Sequence, residues 1–160
     1  MAEQLQSVPA CTLNVTDEQF RAVGHMTLQW AFLEGQIDRE IVWLCEQSGG
    51  SPIKDYPFVK RAEKWLTLAK HFYADHPELI EGVSSVSEKA VVIKPERDKL
   101  VHCNLVSSGT MIRIRQGRVL DISDQATAPH IQDLACRISK ITEELFQHWA
   151  RLARVFDNPL

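Results

Sequence analysis

Cysteine is scarce and scattered in this chain of 160 residues: Cys11, Cys45, Cys103 and Cys136 form no CxxC pair and no cysteine–histidine cluster. That spacing argues against a disulfide framework and a zinc site, and fits buried thiols in a reducing compartment, so the cytoplasm is the expected location. With 7 glycines there is no glycine-rich loop of the kind that cradles phosphate, and no nucleophile elbow. No excess of positive charge is present. The formal charge of −3 argues against a protein that holds nucleic acid through a broad cationic surface, so any nucleic-acid chemistry would have to be local. No apolar run is long enough to span a bilayer, and "MAEQLQSVPACTLNV" has no signal-peptide pattern. Residues 1–15 are expected to form a loose arm before a single domain over 16–157. Internal repeats and low-complexity segments are lacking too.

What the chain does have is helical periodicity. At "VTDEQF", Thr16 and Gln19 form a capping-box pattern, and Val15 and Phe20 form a hydrophobic staple pattern. From there to about Gln47, Phe20, Val23, Thr27, Trp30, Glu34, Ile37, Ile41 and Leu44 recur three or four apart, as on one face of a long helix. "SGGSP" ends it. A second helix fits Tyr56 to about Tyr73, with Phe58, Ala62, Trp65, Ala69 and Phe72 on its apolar side. A third begins near Pro77 and carries Leu79, Val83, Val86, Ala90, Ile93, Arg97 and Leu100. Pro95 predicts a break or kink near Lys94, which would place Arg97 and Asp98 near a fresh helix start. "TMIRIRQGRVLDI" switches to alternation around Gln116 and Gly117 and predicts a small β-hairpin. The last helix spans about Ala128 to Phe156, with Ile131, Leu134, Ile138, Ile141, Leu145, Trp149, Leu152 and Phe156 inward. The expected fold is an all-α antiparallel bundle of four main helices with a hairpin inserted before the last.

Two charged residues interrupt the apolar stripes. Glu34 on the first helix and Arg97 on the third could meet across the bundle through paired hydrogen bonds. Such a pair can be a structural salt bridge that sets helix register, or a device that aims the remaining donors of Arg97 at a phosphate. At about 100° per residue, His102 stands about 40° around the helix from Asp98 and about 140° from Arg97. Asp98 and His102 therefore share a face, and a carboxylate beside an imidazole supports proton transfer near neutral pH. Arg97 supplies a cation for charge developing on phosphate oxygens. Two copies of the helix meeting across a twofold axis would converge these groups more easily than one.

In "PERDKLVHCN", an arginine, a polar residue, three more and then a histidine sit within a helical domain. This pattern resembles the HEPN superfamily, whose motif is an arginine followed four to six residues later by a histidine. The resemblance implies a metal-independent endoribonuclease working as a homodimer, a toxin or defence effector, with an antitoxin-like protein as a possible partner and no cofactor. It implies His102 as general acid or base while a ribose 2′-hydroxyl attacks the adjacent phosphate. Arg97 would stabilise the transition state, Asp98 would be the polar residue after the arginine, and Glu34 would support them. The chain departs from the family at "HCNL", where related sequences read HGxW.

The remaining candidates have plainer readings. Arg113, Arg115 and Arg118 form a basic cluster, either a solvated strand edge guarded against pairing or a weak RNA-phosphate contact. His25, His71, His76, His130 and His148 show no metal-ligand spacing and are expected at the surface or at caps. The four tryptophans are expected in the core rather than as a base-stacking platform. A reading from another class remains open: a non-catalytic helical module that binds a protein or nucleotide and uses Arg97 and Glu34 only for packing.

Overall fold

The computed structural model describes residues 15–50, 56–101 and 127–156 in full, and residues 104–107, 110–115 and 118–123 by their backbone. Four helices, α1 (Asp17–Gln47), α2 (Phe58–Phe72), α3 (Pro77–Val101) and α4 (Ala128–Val155), pack as a bundle. Each helix rests chiefly on the two beside it, in the ring order α1, α2, α3, α4. No helix among the described residues is long and apolar enough to cross a membrane. Between α3 and α4 the backbone pairs antiparallel as β1 (Asn104–Ser107), β2 (Thr110–Arg115) and β3 (Arg118–Ser123), in that spatial order. Gln116 and Gly117, around which the hairpin was expected to turn, lie outside the described residues.

The start of α1 follows from its cap. Gln19 N–H donates to Thr16 Oγ1 at 3.2 Å and Thr16 N–H donates to Gln19 Oε1 at 2.9 Å, so the capping box satisfies two otherwise orphaned donors. Its end follows from glycine. Gly49 adopts φ +66°, and Gly50 N–H donates to the Cys45 carbonyl at 2.8 Å, the bond that closes a Schellman motif. The buried face between them is Ala22, Met26, Trp30, Leu33, Ile37, Glu40, Ile41, Leu44 and Cys45. Phe20 was expected on that face but is 62% exposed, because the face runs through Gln19, Ala22 and Met26, and Phe20 stands about 100° around the helix from Gln19.

Helix direction departs from the expected antiparallel order. Trp30 meets Phe58 with ring centroids 4.9 Å apart and Trp43 meets Phe72 at 5.3 Å, so α1 and α2 run the same way. Glu40 reaches His148 and Trp43 meets Phe156, with Phe32 beside Phe146, so α4 runs parallel to α1 as well. Only α3 is reversed: Gly82 abuts His148 while Glu96 meets Arg137. The ten residues between Gln47 and Phe58 make this possible. At about 3.3 Å per residue they can retrace the roughly 20 Å of α2.

The expected break at Pro95 is absent, and α3 continues through it to Val101. Pro95 forfeits one backbone bond, but the turns on either side are pinned from outside. Ile93 and Leu100 are buried, Lys94 pairs with Asp98 across the proline, and Glu96 accepts from Arg137 of α4 at 2.5 Å. Arg97 and Asp98 therefore lie in the last turns of a long helix rather than at the start of a new one.

Because those anchors hold the helix whether or not the proline is present, Pro95→Ala should stabilise the fold by about 2 kcal/mol, the helix-interior penalty less the entropy proline removes from the unfolded chain. In a thermal melt this corresponds to a rise of about 4–8 °C. An unchanged or lower midpoint would mean that the turn is strained for another reason.

Candidate functional site

Around Arg97, three helices bring together aromatic and charged groups. Trp30 of α1 is fully buried and its indole Nε1–H donates to Glu34 Oε2 at 2.8 Å, one turn along the same helix. Glu34 does not pair with Arg97. Its other oxygen accepts from Nη2 of Arg61 on α2, while Nη1 of Arg61 donates to Asp38. Glu34 and Asp38 are four residues apart on one face, so a single guanidinium fork spans both carboxylates. Sequence reading passed over Arg61, although an acidic i, i+4 pair was the signal that some arginine had to meet it. Burial raises the Asp38 carboxyl above its ordinary value, more than Arg61 lowers it.

Arg97 arrives from α3 on the other side of Trp30. Its guanidinium carbon lies 5.5 Å from the Trp30 ring centroid, a cation–π contact, and Phe58 stands at 4.9 Å from the same indole with Arg61 over its own ring at 5.8 Å. Nη1 of Arg97 donates to Asp98 Oδ1 at 3.1 Å, and Asp98 Oδ2 accepts from Lys94. Partial burial pushes the Asp98 carboxyl up, but the hydrogen bonds from Lys94 and Arg97 together outweigh it and hold the group below its usual range. The Nε–H of Arg97 is buried and has no acceptor among the described residues. The result is a guanidinium laid against an indole, tied at one nitrogen, with donor capacity unused.

Of the residues singled out in the sequence, Glu34, Arg97 and Asp98 thus belong to one connected cluster, with Trp30 between the first two. His102 lies outside the described residues. For Arg113, Arg115 and Arg118 only the backbone is described: Arg115 and Arg118 face each other as strand partners. β2 is the middle strand, so the edge-strand reading fails for Arg113 and Arg115. No group of three or more histidine, cysteine or acidic side chains among the described residues could hold a metal.

A second polar cluster was missed altogether. Glu40 of α1 is fully buried and its carboxylate takes three hydrogen bonds: Tyr73 O–H at 3.0 Å, His148 Nε2 at 2.9 Å and Trp149 Nε1–H at 2.8 Å. Since an ionised carboxylate only accepts, the His148 proton sits on Nε2. His148 is 1% exposed, which corrects its assignment to the surface or a cap. It fits because Gly82 of α3 has no side chain; a Cβ there would stand 2.7 Å from His148 Nδ1. Trp30 and Trp65 are core residues, whereas Trp43 and Trp149 are only partly buried against the core. Above His148, a cleft of about 720 Å³ opens between α3 and α4, flanked by Glu81, Ser85, Lys140, Glu144 and Arg151.

Comparison with protein-family models, with curated proteins and with solved structures finds nothing that matches this chain.

Removing the acceptor at the centre of the second cluster strands two buried donors, Tyr73 and His148, and the partly buried Trp149, so Glu40→Ala should cost about 3–5 kcal/mol, visible as a loss of roughly 10 °C or more in melting temperature. A loss under about 1 kcal/mol would contradict the burial described. Burial, and then the neighbouring Glu40 charge, push the Tyr73 phenol far above its ordinary value. The folded protein keeps this proton where the unfolded chain releases it near pH ~10, so the contribution is complete below about pH 10 and is lost as pH rises past it. Denaturation followed from pH 9 to 11.5 should show stability falling, with a shallower fall in Tyr73→Phe.

Proposed function

We propose that the chain is a metal-independent endoribonuclease of the HEPN-like kind. The observation that carries this reading is the state of Arg97: a cation over the Trp30 ring in the last turns of α3, one nitrogen tied and Nε–H without an acceptor among the described residues, five positions before His102 in the chain. In this mechanism His102 takes the proton from a ribose 2′-hydroxyl as its oxygen attacks the adjacent phosphorus. The bond to the 5′-oxygen breaks, that oxygen receives a proton, and a 2′,3′-cyclic phosphate and a free 5′-hydroxyl result. Arg97 offsets the charge that builds on the equatorial phosphate oxygens. Asp98 serves chiefly to anchor Arg97 and Lys94, since each of its oxygens already accepts from one of them. Glu34 supports the cluster from α1 through Trp30.

On helical spacing alone Arg97 and His102 would diverge by about 140°, so a homodimer would supply the second half of each centre most simply. Arg113, Arg115 and Arg118 offer a weak contact to the RNA backbone. The reading places the protein in the cytoplasm as a toxin or defence effector restrained by an antitoxin-like protein. The other reading, a non-catalytic helical module binding a protein or nucleotide, is favoured by one observation. Asp98 pairs with both Lys94 and Arg97, as in a purely structural cluster.

The two readings separate on one set of proteins. Incubated with RNA in EDTA, wild type should cut and leave cyclic-phosphate ends, with a bell-shaped or sigmoidal pH profile near neutrality. His102→Ala and Arg97→Ala should each lose about a hundredfold or more. Since Arg97 sits at the rim of the core, Arg97→Ala should cost only about 1 kcal/mol of stability. Equal cleavage by both variants would remove the catalytic assignment, and no cleavage by any protein would leave the non-catalytic module.

A further inference from the structure

We infer that Trp30 is a positioning residue through which the Glu34 carboxylate acts on Arg97, a deepening that rests on the ribonuclease reading for its purpose but not for its geometry. Glu34 and Arg97 make no direct contact among the described residues. Both touch the same indole: Glu34 Oε2 accepts from its Nε1–H at 2.8 Å, and the Arg97 guanidinium lies over its face at 5.5 Å.

An indole whose N–H donates to an anion gains electron density on its ring, and a ring richer in electrons holds a cation more strongly. The carboxylate therefore reaches the guanidinium without neutralising it by a direct pair. A direct bidentate pair would occupy two N–H groups and leave fewer for phosphate. A ring face occupies none of them. Trp30 cannot turn to release the cation, because it is fully buried, bonded at Nε1 and packed against Phe58 at 4.9 Å and 60°. Arg61 in turn fixes Glu34, its two terminal nitrogens holding Glu34 and Asp38 at once.

Asp38 supplies the control that separates this relay from general packing. Like Glu34 it pairs with Arg61, yet it makes no hydrogen bond to Trp30. Asp38→Asn and Glu34→Gln each remove one charge from Arg61; only Glu34→Gln removes the charge behind the indole.

The experiment follows the Arg97 Nε–Hε group by ¹⁵N NMR in the full chain without RNA, its signal assigned by its loss in Arg97→Lys. In wild type the heteronuclear NOE should mark Arg97 as ordered. Trp30→Phe, which keeps a ring but loses the N–H, and Glu34→Gln should both lower it, while Asp38→Asn and the equally buried Trp65→Phe should leave it unchanged. If wild type cleaves RNA, Trp30→Phe and Glu34→Gln should lower kcat about five- to tenfold with KM changed less than about twofold, as when an oriented transition-state contact is lost. An Arg97 signal unaffected by Glu34→Gln, or affected equally by Asp38→Asn, overturns the relay. Should Trp30→Phe fail to fold, the Glu34 and Asp38 variants still decide it. Should wild type cut no RNA, the ribonuclease reading falls while the NMR comparison still decides the positioning of Arg97.

Discussion

Glu40 sits where α1, α2 and α4 converge, a carboxylate with no access to water that must find every hydrogen bond inside the protein. Tyr73 from the end of α2 and His148 and Trp149 from α4 supply them. A buried charge tolerates little displacement of its donors, since each one lost leaves an uncompensated group in a low-dielectric interior. The cluster therefore fixes more than one distance. It requires the late turns of α1 and α4 and the end of α2 to lie at the same level, which is possible only if these three helices run in the same direction. It also requires α3 to come close enough for Gly82 to cover the imidazole. The unusual direction of α2 and the glycine on α3 follow from the same carboxylate.

A few turns back along α1, around Trp30, the polar groups are arranged by a different rule. Trp30, Phe58, Arg61 and Arg97 alternate ring and cation, and the carboxylates of Glu34, Asp38 and Asp98 stand at their margins. Here partial exposure lowers the cost of charge, and the aromatic faces orient cations without consuming their donors. The first cluster stabilises because the Glu40 carboxylate is met by three donors, with His148 Nδ1 covered by Gly82; in the second, the cations lean on aromatic faces as well as on carboxylates. The groups around Arg97 are partly exposed, whereas Glu40 and His148 are sealed in the core, so only the former are open to a ligand from solvent.

Much of this architecture is legible in the residue order. The capping box at Thr16 and Gln19, the glycines that close α1, and the extents of α2 and α4 follow from local rules acting over a few residues. So does the interest of Arg97 and Asp98, set in an apolar stripe near a proline. The misread positions share a cause. Phe20 satisfies the spacing of a core residue, but the buried face runs through Gln19 and Ala22 and leaves Phe20 to one side. Pro95 obeys a local rule that external anchors override. His148 and Glu40 lie 108 positions apart in the chain, and neither carries a mark of burial when read alone.

Periodicity determined that this chain makes long amphipathic helices, because a helix face depends on neighbours three and four residues away. Capping chemistry likewise determined where the first of them starts. Tertiary structure alone decided which charged groups meet: Glu34 takes Arg61 rather than Arg97, Arg97 takes an indole, and Glu40 takes a histidine from the far end of the chain. The physical reason is that pairing depends on helix direction and level. These are set by how all four faces bury together, a global condition that no local spacing records.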